Sequence, residues 1–174
     1  MTRFTRLLAA LSLLVGATVA APPADAQDRA RAKEVVVAFA AEPRTLLPDT
    51  IVDWTTNVQI EHIYDRLVDR DAKTYKPIPM LATSWKVVND TTWEFALRPG
   101  IKFHNGEPFN AQSVKATMDY IKDPANKTHY LSRWALVKEV QIVNDYTVRF
   151  VTEKPWPGLI DRIAGVDLLP MPPK

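Results

Sequence analysis

The residues best suited to chemistry in this 174-residue chain are few and scattered. His62, His104 and His129 could hold a metal or move a proton near neutral pH, yet no two share a spacing that would present both on one helix face or strand. His104 sits in a Phe-His-Asn-Gly turn, where a structural hydrogen-bonding role fits best. A hydrolytic nucleophile needs a reactive hydroxyl or amine beside a positioned base. Neither Gly-x-Ser-x-Gly nor Ser-x-x-Lys occurs, and Ser84 and Ser113 fall inside regular elements. Five glycines, none clustered, leave no phosphate-cradling loop. The lack of cysteine removes disulfides, thiolate catalysis and cysteine-based zinc sites. The expectation is a protein with no catalytic residues, no metal and no cofactor, and not an enzyme.

Binding is better supported than catalysis. Trp54 stands just before a helical pattern, where the first turn leaves N–H donors free. Tyr130, Trp134 and Trp156 lie in connecting segments, and such side chains join a large apolar area to one polar handle, which suits a ligand cleft. The competing reading is that loop aromatics pack beneath their own loops, and for Trp134 and Trp156 it is preferred.

The elements that would position these groups follow from periodicity. Trp93, Phe95 and Leu97 alternate with Glu94, Ala96 and Arg98, the pattern of a strand with one buried face. Pro99-Gly100 stops it, Asn105-Gly106 marks a second turn, and Asn110 is placed to cap a helix over Ala111–Lys122 bearing Val114, Met118 and Ile121. The stretch Lys86–Phe95 resembles Gln141–Phe150, each a strand, an Asn-Asp turn and a strand. Two such hairpins predict one antiparallel sheet, with Trp93, Phe95, Val148 and Phe150 on its buried side; convergence on the same turn chemistry explains the likeness better than duplication. Asp53 or Thr55 can cap a helix with Val58, Ile60, Ile63, Tyr64 and Leu67 on one side. Asp69-Arg70-Asp71 reads as a solvated turn, Pro77 and Pro79 limit any strand there to an edge, Leu159–Ile163 suggests a short helix, and Val166–Leu169 a last strand. Glu34–Phe39 is a near-continuous apolar run, which reads as a strand buried on both faces.

Leu81-Ala82-Thr83-Ser84-Trp85, the Asn89-Asp90 turn, Trp93–Arg98, Gly-x-x-Phe-His-Asn-Gly (Gly100 to Gly106) and Phe109-Asn110-Ala111 together resemble a known signature. It is that of the extracytoplasmic solute-binding proteins of ABC transporters, in the oligopeptide-, dipeptide- and nickel-binding family 5. Asn105 stands where that family has Asp, Ser113 where an acidic residue is common, and Leu46-Leu47-Pro48 where Leu-Asp-Pro is usual. The resemblance implies an α/β periplasmic-binding-protein-like (type II) fold in the full-length family, of which this chain is an N-terminal portion, mixed α+β with antiparallel hairpins and a few helices. It implies ligand-binding roles for Val52, Asp53 and Trp54 along a peptide-like solute, with Tyr130 packing on it. The implied partners are a small-molecule or peptide ligand and an inner-membrane ABC permease complex, and the implied state is a monomer.

By the same resemblance residues 1–26 are a signal peptide, 27–64 the opening strand, cleft loop and helix of a first lobe, 65–170 an inserted smaller α+β domain, and 171–174 the start of the returning first-lobe segment. The leader is also legible on its own. Arg3 and Arg6 precede an apolar run, Leu7–Ala21, broken by Ser12, Gly16 and Thr18, and Ala24-Asp25-Ala26 offers a cleavage site before Gln27. A membrane span needs about 20 uninterrupted apolar residues. With no cysteine to carry a lipid at the cleavage site, the expected address is the periplasm, with no membrane insertion after cleavage. The net charge of +2, which falls to +1 when cleavage removes Arg3, Arg6 and Asp25, predicts no nucleic-acid partner. The rival readings are a secreted hydrolase and a small periplasmic interaction or chaperone-like module. On the family's plan Val35–Phe39 would lack its parallel neighbours and be loosely docked or disordered, the 65–170 unit would fold independently, and peptide affinity of this portion alone would be negligible.

Overall fold

The computed structural model describes residues 36–39, 41–48 and 53–173. The chain divides into a unit ending at Ala38 and a second from Phe39 onward. Of the apolar run expected as a buried strand, Val36–Phe39 are described; they form no strand, and Val36, Val37 and Phe39 are exposed. The physical reason is pairing: among the described residues no strand lies alongside to take its N–H and C=O groups. Glu34 and Val35, like the leader 1–26, lie outside the described residues.

The second unit runs α1 (Trp54–Ile60), β1 (Val68–Arg70), β2 (Pro77–Pro79), β3 (Ala82–Asn89), β4 (Thr92–Leu97), α2 (Ala111–Lys122), β5 (Val137–Asn144), β6 (Thr147–Thr152) and α3 (Leu159–Ile163), with short 3₁₀ turns at Pro124–Asn126 and Leu131–Trp134. The two hairpins expected from sequence join in one antiparallel sheet of order β3-β4-β6-β5. Each turn is closed by its asparagine: the Asn89 carboxamide accepts from Thr91 N (3.0 Å) and that of Asn144 from Tyr146 N (2.9 Å). Trp93 lies opposite Phe150 and Phe95 opposite Val148; Phe95, Val148 and Phe150 are fully buried and Trp93 partly so.

The register reveals a pseudo-two-fold arrangement. Residues 55 positions apart occupy equivalent places in the two hairpins, and the axis passes by the Glu94–Arg149 pair. Even the bulges correspond, at Ala82/Ser84 and Val87/Asn89 in one hairpin and at Val137/Glu139 and Ile142/Asn144 in the other. The halves differ where packing differs. α2 lies over β5 and β6, where the equivalents of Trp85 and Trp93 are Val140 and Val148. Valine leaves room for a helix there, while the tryptophans fill the half of the face that α2 does not cover.

α2 has the start and the face that its sequence dictates. Asn110 accepts from Gln112 N (3.0 Å) and Ser113 N (3.3 Å), and Ser113 Oγ accepts in return from Asn110 N (3.4 Å), completing a capping box. Ala111, Val114, Met118 and Ile121 are buried against the sheet. At the other end Lys122 Nζ donates to the carbonyls of Val137 and Lys138, tying the helix to the edge strand.

Three sequence expectations are corrected. α1 ends at Ile60: Ile63 N and Tyr64 N both turn back to Ile60 O (2.8 and 3.0 Å), so Ile63 and Tyr64 fall in the turn and Leu67 beyond it. Asp69 and Arg70 belong to β1, paired with Ile78 and Pro77, and only Asp71 is in the turn. Val166–Leu169 is not a strand, although Leu168 and Leu169 are buried. Its anchorage is by side chains instead: Trp134 Nε1 donates to Asp167 O (3.0 Å), and the buried Asp167 carboxylate accepts from Arg133 (2.7 Å) and Arg162 (2.6 Å).

Candidate functional site

Asp53 is the keystone of the corner that the sequence singles out. Its Oδ1 accepts from Thr56 N (2.8 Å) and its Oδ2 from Thr56 Oγ1 (2.9 Å), so both oxygens serve the start of α1. Those bonds, the backbone one foremost, hold the Asp53 carboxyl below its usual pKa. The carboxylate therefore orders the corner and is largely committed to it. Trp54, held at the first helical position, is 80% exposed, a rigid aromatic surface open to solvent.

The strap over residues 41–48 is pinned to the same helix and turn. Arg44 N donates to Thr56 Oγ1 (3.3 Å), Gln59 Nε2 to Ala41 O (3.2 Å) and Tyr64 OH to Leu46 O (3.2 Å). Leu47 then forms one wall of an open groove of about 310 Å³, with Ala116, Thr117 and Tyr120 of α2 opposite and Met171–Pro173 alongside. Met171 N donates to Thr117 Oγ1 (2.9 Å), which fixes that wall to the helix.

Tyr130 is buried rather than presented at the surface. It opens the Leu131–Trp134 turn, lies under the Arg133 guanidinium (5.1 Å from the ring centre), and shares a narrow crevice with Pro48, Thr117 and Met171. It thus supports the strap side of the groove from beneath, whereas Trp54 lines none of the clefts described. Val52 lies outside the described residues. Trp134 and Trp156 pack edge-to-face at 6.3 Å, Trp134 wholly buried, as preferred from sequence. Sequence reasoning missed Leu47, Ala116 and Tyr120; Ala116 and Tyr120 stand off the buried stripe of α2, and only the crossing of strap and tail gives them a shared groove.

A second open cleft, about 250 Å³, is lined by Pro170 and Pro172 together with the apolar Ile101, Phe103 and Phe109, and with Asp65, Lys102 and His104 among its polar groups. Among the described residues no group of three or more His, Asp or Glu side chains could hold a metal, and no helix is long and apolar enough to cross a membrane.

The sequence profile of the bacterial extracellular solute-binding proteins, family 5 Middle, matches residues 76–173. The glutathione-binding protein GsiB of Salmonella typhi is 34% identical over 170 residues, covering 94% of this chain and 31% of the relative. Among solved structures, OppA of Burkholderia pseudomallei superposes with a TM-score of 0.70 at 25% identity, over 76% of this chain and 29% of its own. AgaA of A. tumefaciens, solved with agropinic acid, does so at 0.68 and 28%, over 78% and 27%. These neighbours share the type II periplasmic-binding-protein fold, and the present mixed α+β unit with its antiparallel hairpins is a part of it, as the signature implied. The chain spans about a quarter of the length of the curated relatives it matches. With more than half of its residues matched by that profile, the chain belongs to family 5 of the bacterial extracellular solute-binding proteins.

Proposed function

We propose that this protein is the periplasmic solute-binding component of an ABC importer, taking a peptide-like or related small solute and delivering it to an inner-membrane permease complex. The observation that carries the reading is the family match, supported by a relative named for glutathione binding and a solved neighbour holding agropinic acid. Capture by non-covalent contact needs an ordered surface, and the Asp53–Thr56 cap, the pinned strap and the exposed Trp54 indole form one. In this reading Val52, Asp53 and Trp54 run beside the solute, Asp53 as the group that fixes the backbone and Trp54 as the stacking face. Tyr130 acts from below by holding the strap wall. Residues 27–64 belong to a first lobe, 65–170 to a smaller inserted domain and 171–174 to the returning segment; the larger apolar cluster, from Leu67 to Leu168, supports the middle boundaries, while Ile60 and Leu169 pack together across the first of them. Export by the 1–26 leader delivers the protein to the periplasm, where it works as a monomer.

The test is uptake. Deleting the gene, or replacing Trp54 by Ala at its own locus, should lower uptake of labelled glutathione or short peptides, and exported protein should begin at Gln27. Uptake of glutathione, dipeptides and tripeptides that is unchanged in the deletion strain would overturn the assignment to peptide-like solutes.

A further inference from the structure

We propose that Asn105-Gly106 is a site of spontaneous covalent modification, at which the asparagine converts to aspartate and isoaspartate in the folded protein. This inference is independent of the transport reading. In the reaction the Gly106 backbone nitrogen attacks Asn105 Cγ, the new C–N bond closes a succinimide, and the carboxamide nitrogen leaves as ammonia. Water then adds to either carbonyl of the ring, giving aspartate or, with one methylene more in the main chain, isoaspartate.

The structure supplies the geometry and its own controls. Asn105 Oδ1 accepts from Glu107 N (3.0 Å), folding the carboxamide back over the Asn105–Gly106 peptide, and Nδ2 donates to Glu107 Oε1 (2.9 Å), which fixes its orientation. Asn89 and Asn144 are folded in the same way, onto Thr91 N (3.0 Å) and Tyr146 N (2.9 Å). Their successors, however, are Asp90 and Asp145, whose Cβ atoms and carboxylates crowd the attacking nitrogen. Gly106 has no side chain, a φ of +86° and, its own chain neighbours aside, no heavy atom within 4 Å of where a Cβ would stand. His104, Asn105 and Gly106 are all exposed. The reaction is gated by one bond, Gly106 N to Phe103 O (2.9 Å), which must open before the nitrogen can attack. Conversion places a negative charge beside Glu107, in the cleft that Lys102 also lines. Isoaspartate would also lengthen the loop closed by the Lys102–Pro108 bridge and so reshape the cleft that Phe103, His104 and Asn105 line.

The test is to hold the intact protein at neutral and mildly alkaline pH, digest it, and quantify asparagine, aspartate and isoaspartate at each position by peptide mass spectrometry. The expected result is loss of the Asn105 amide at least roughly tenfold faster than at Asn89 or Asn144, since only glycine leaves the attack unhindered. The rate should rise with pH because the Gly106 nitrogen must lose its proton, and an Asn105→Asp protein analysed in parallel identifies the product. Loss at Asn105 no faster than at Asn89 and Asn144, or only in urea-unfolded protein, would overturn the proposal.

Discussion

Phe95→Ala is the most incisive test of the sheet. Phe95 is fully buried, opposite Val148, with its ring 5.4 Å from that of Phe150 in an edge-to-face contact and 6.5 Å from that of Trp85. Losing the transfer free energy of a buried phenylalanine costs about 1.5–3 kcal/mol, and each ring contact adds about 0.5–1.5 kcal/mol. The sheet face is fixed by two hairpins and α2, so the cavity cannot collapse fully, and the total should reach about 3–5 kcal/mol. For a unit of this size that lowers Tm by on the order of 10–20 °C. Urea unfolding followed by tryptophan fluorescence reads the change as a lower midpoint at constant slope. Ile142→Ala is the control: in the same cross-strand row but on the edge and 41% exposed, it should cost about 1 kcal/mol or less. A Phe95/Phe150 double-mutant cycle should return a coupling of about 0.5–1.5 kcal/mol. A Phe95→Ala loss below about 1 kcal/mol would mean that Phe95 is not a packed member of the core.

Asn110→Ala removes two acceptor contacts and one arm of the capping box, and should destabilise by about 1 kcal/mol while raising hydrogen exchange in the first turn of α2. Asp167→Asn should cost about 1–2 kcal/mol, less than a fully enclosed ion pair because Arg133 and Arg162 remain partly in water, and should loosen the 166–169 segment in proteolysis. The Glu94 carboxyl lies below its usual pKa chiefly because Lys86 and then Arg149 donate to it, and Asp53 because Thr56 does. The stability they add is therefore full above the unfolded carboxylate pKa of about 4 and is lost as pH falls through the lower folded values. Glu94→Gln should lower stability at neutral pH and change it little at acid pH, where Glu94 is itself protonated, so that the acid limb of a stability-versus-pH curve flattens; an unchanged acid limb would contradict this. Asp53→Ala should speed exchange at the Thr56 amide, whose acceptor it removes.

Much of the unit from Phe39 onward was legible because its determinants are local. Alternation wrote β4, the Asn-Asp dipeptides wrote both hairpin turns, and Asn110 with Ser113 wrote the start of α2, each through contacts spanning a few residues. The signature within those same residues also carried the family. What lies between distant segments was not legible. The pseudo-two-fold register across β4 and β6 was visible only as a repeated phrase, because pairing partners are chosen by the packing of whole faces. The buried side of Tyr130 could not be read, since a loop aromatic faces ligand or core according to what else arrives, and here Arg133, Thr117 and Pro48 arrive. Val166–Leu169 had the composition of a strand but, among the described residues, no strand pairs with it, so an indole and a carboxylate took over its anchorage. The groove beside Ala116 and Tyr120 exists because the 41–48 strap and the Met171–Pro173 tail cross one helix, a meeting of segments far apart in sequence that no local pattern encodes.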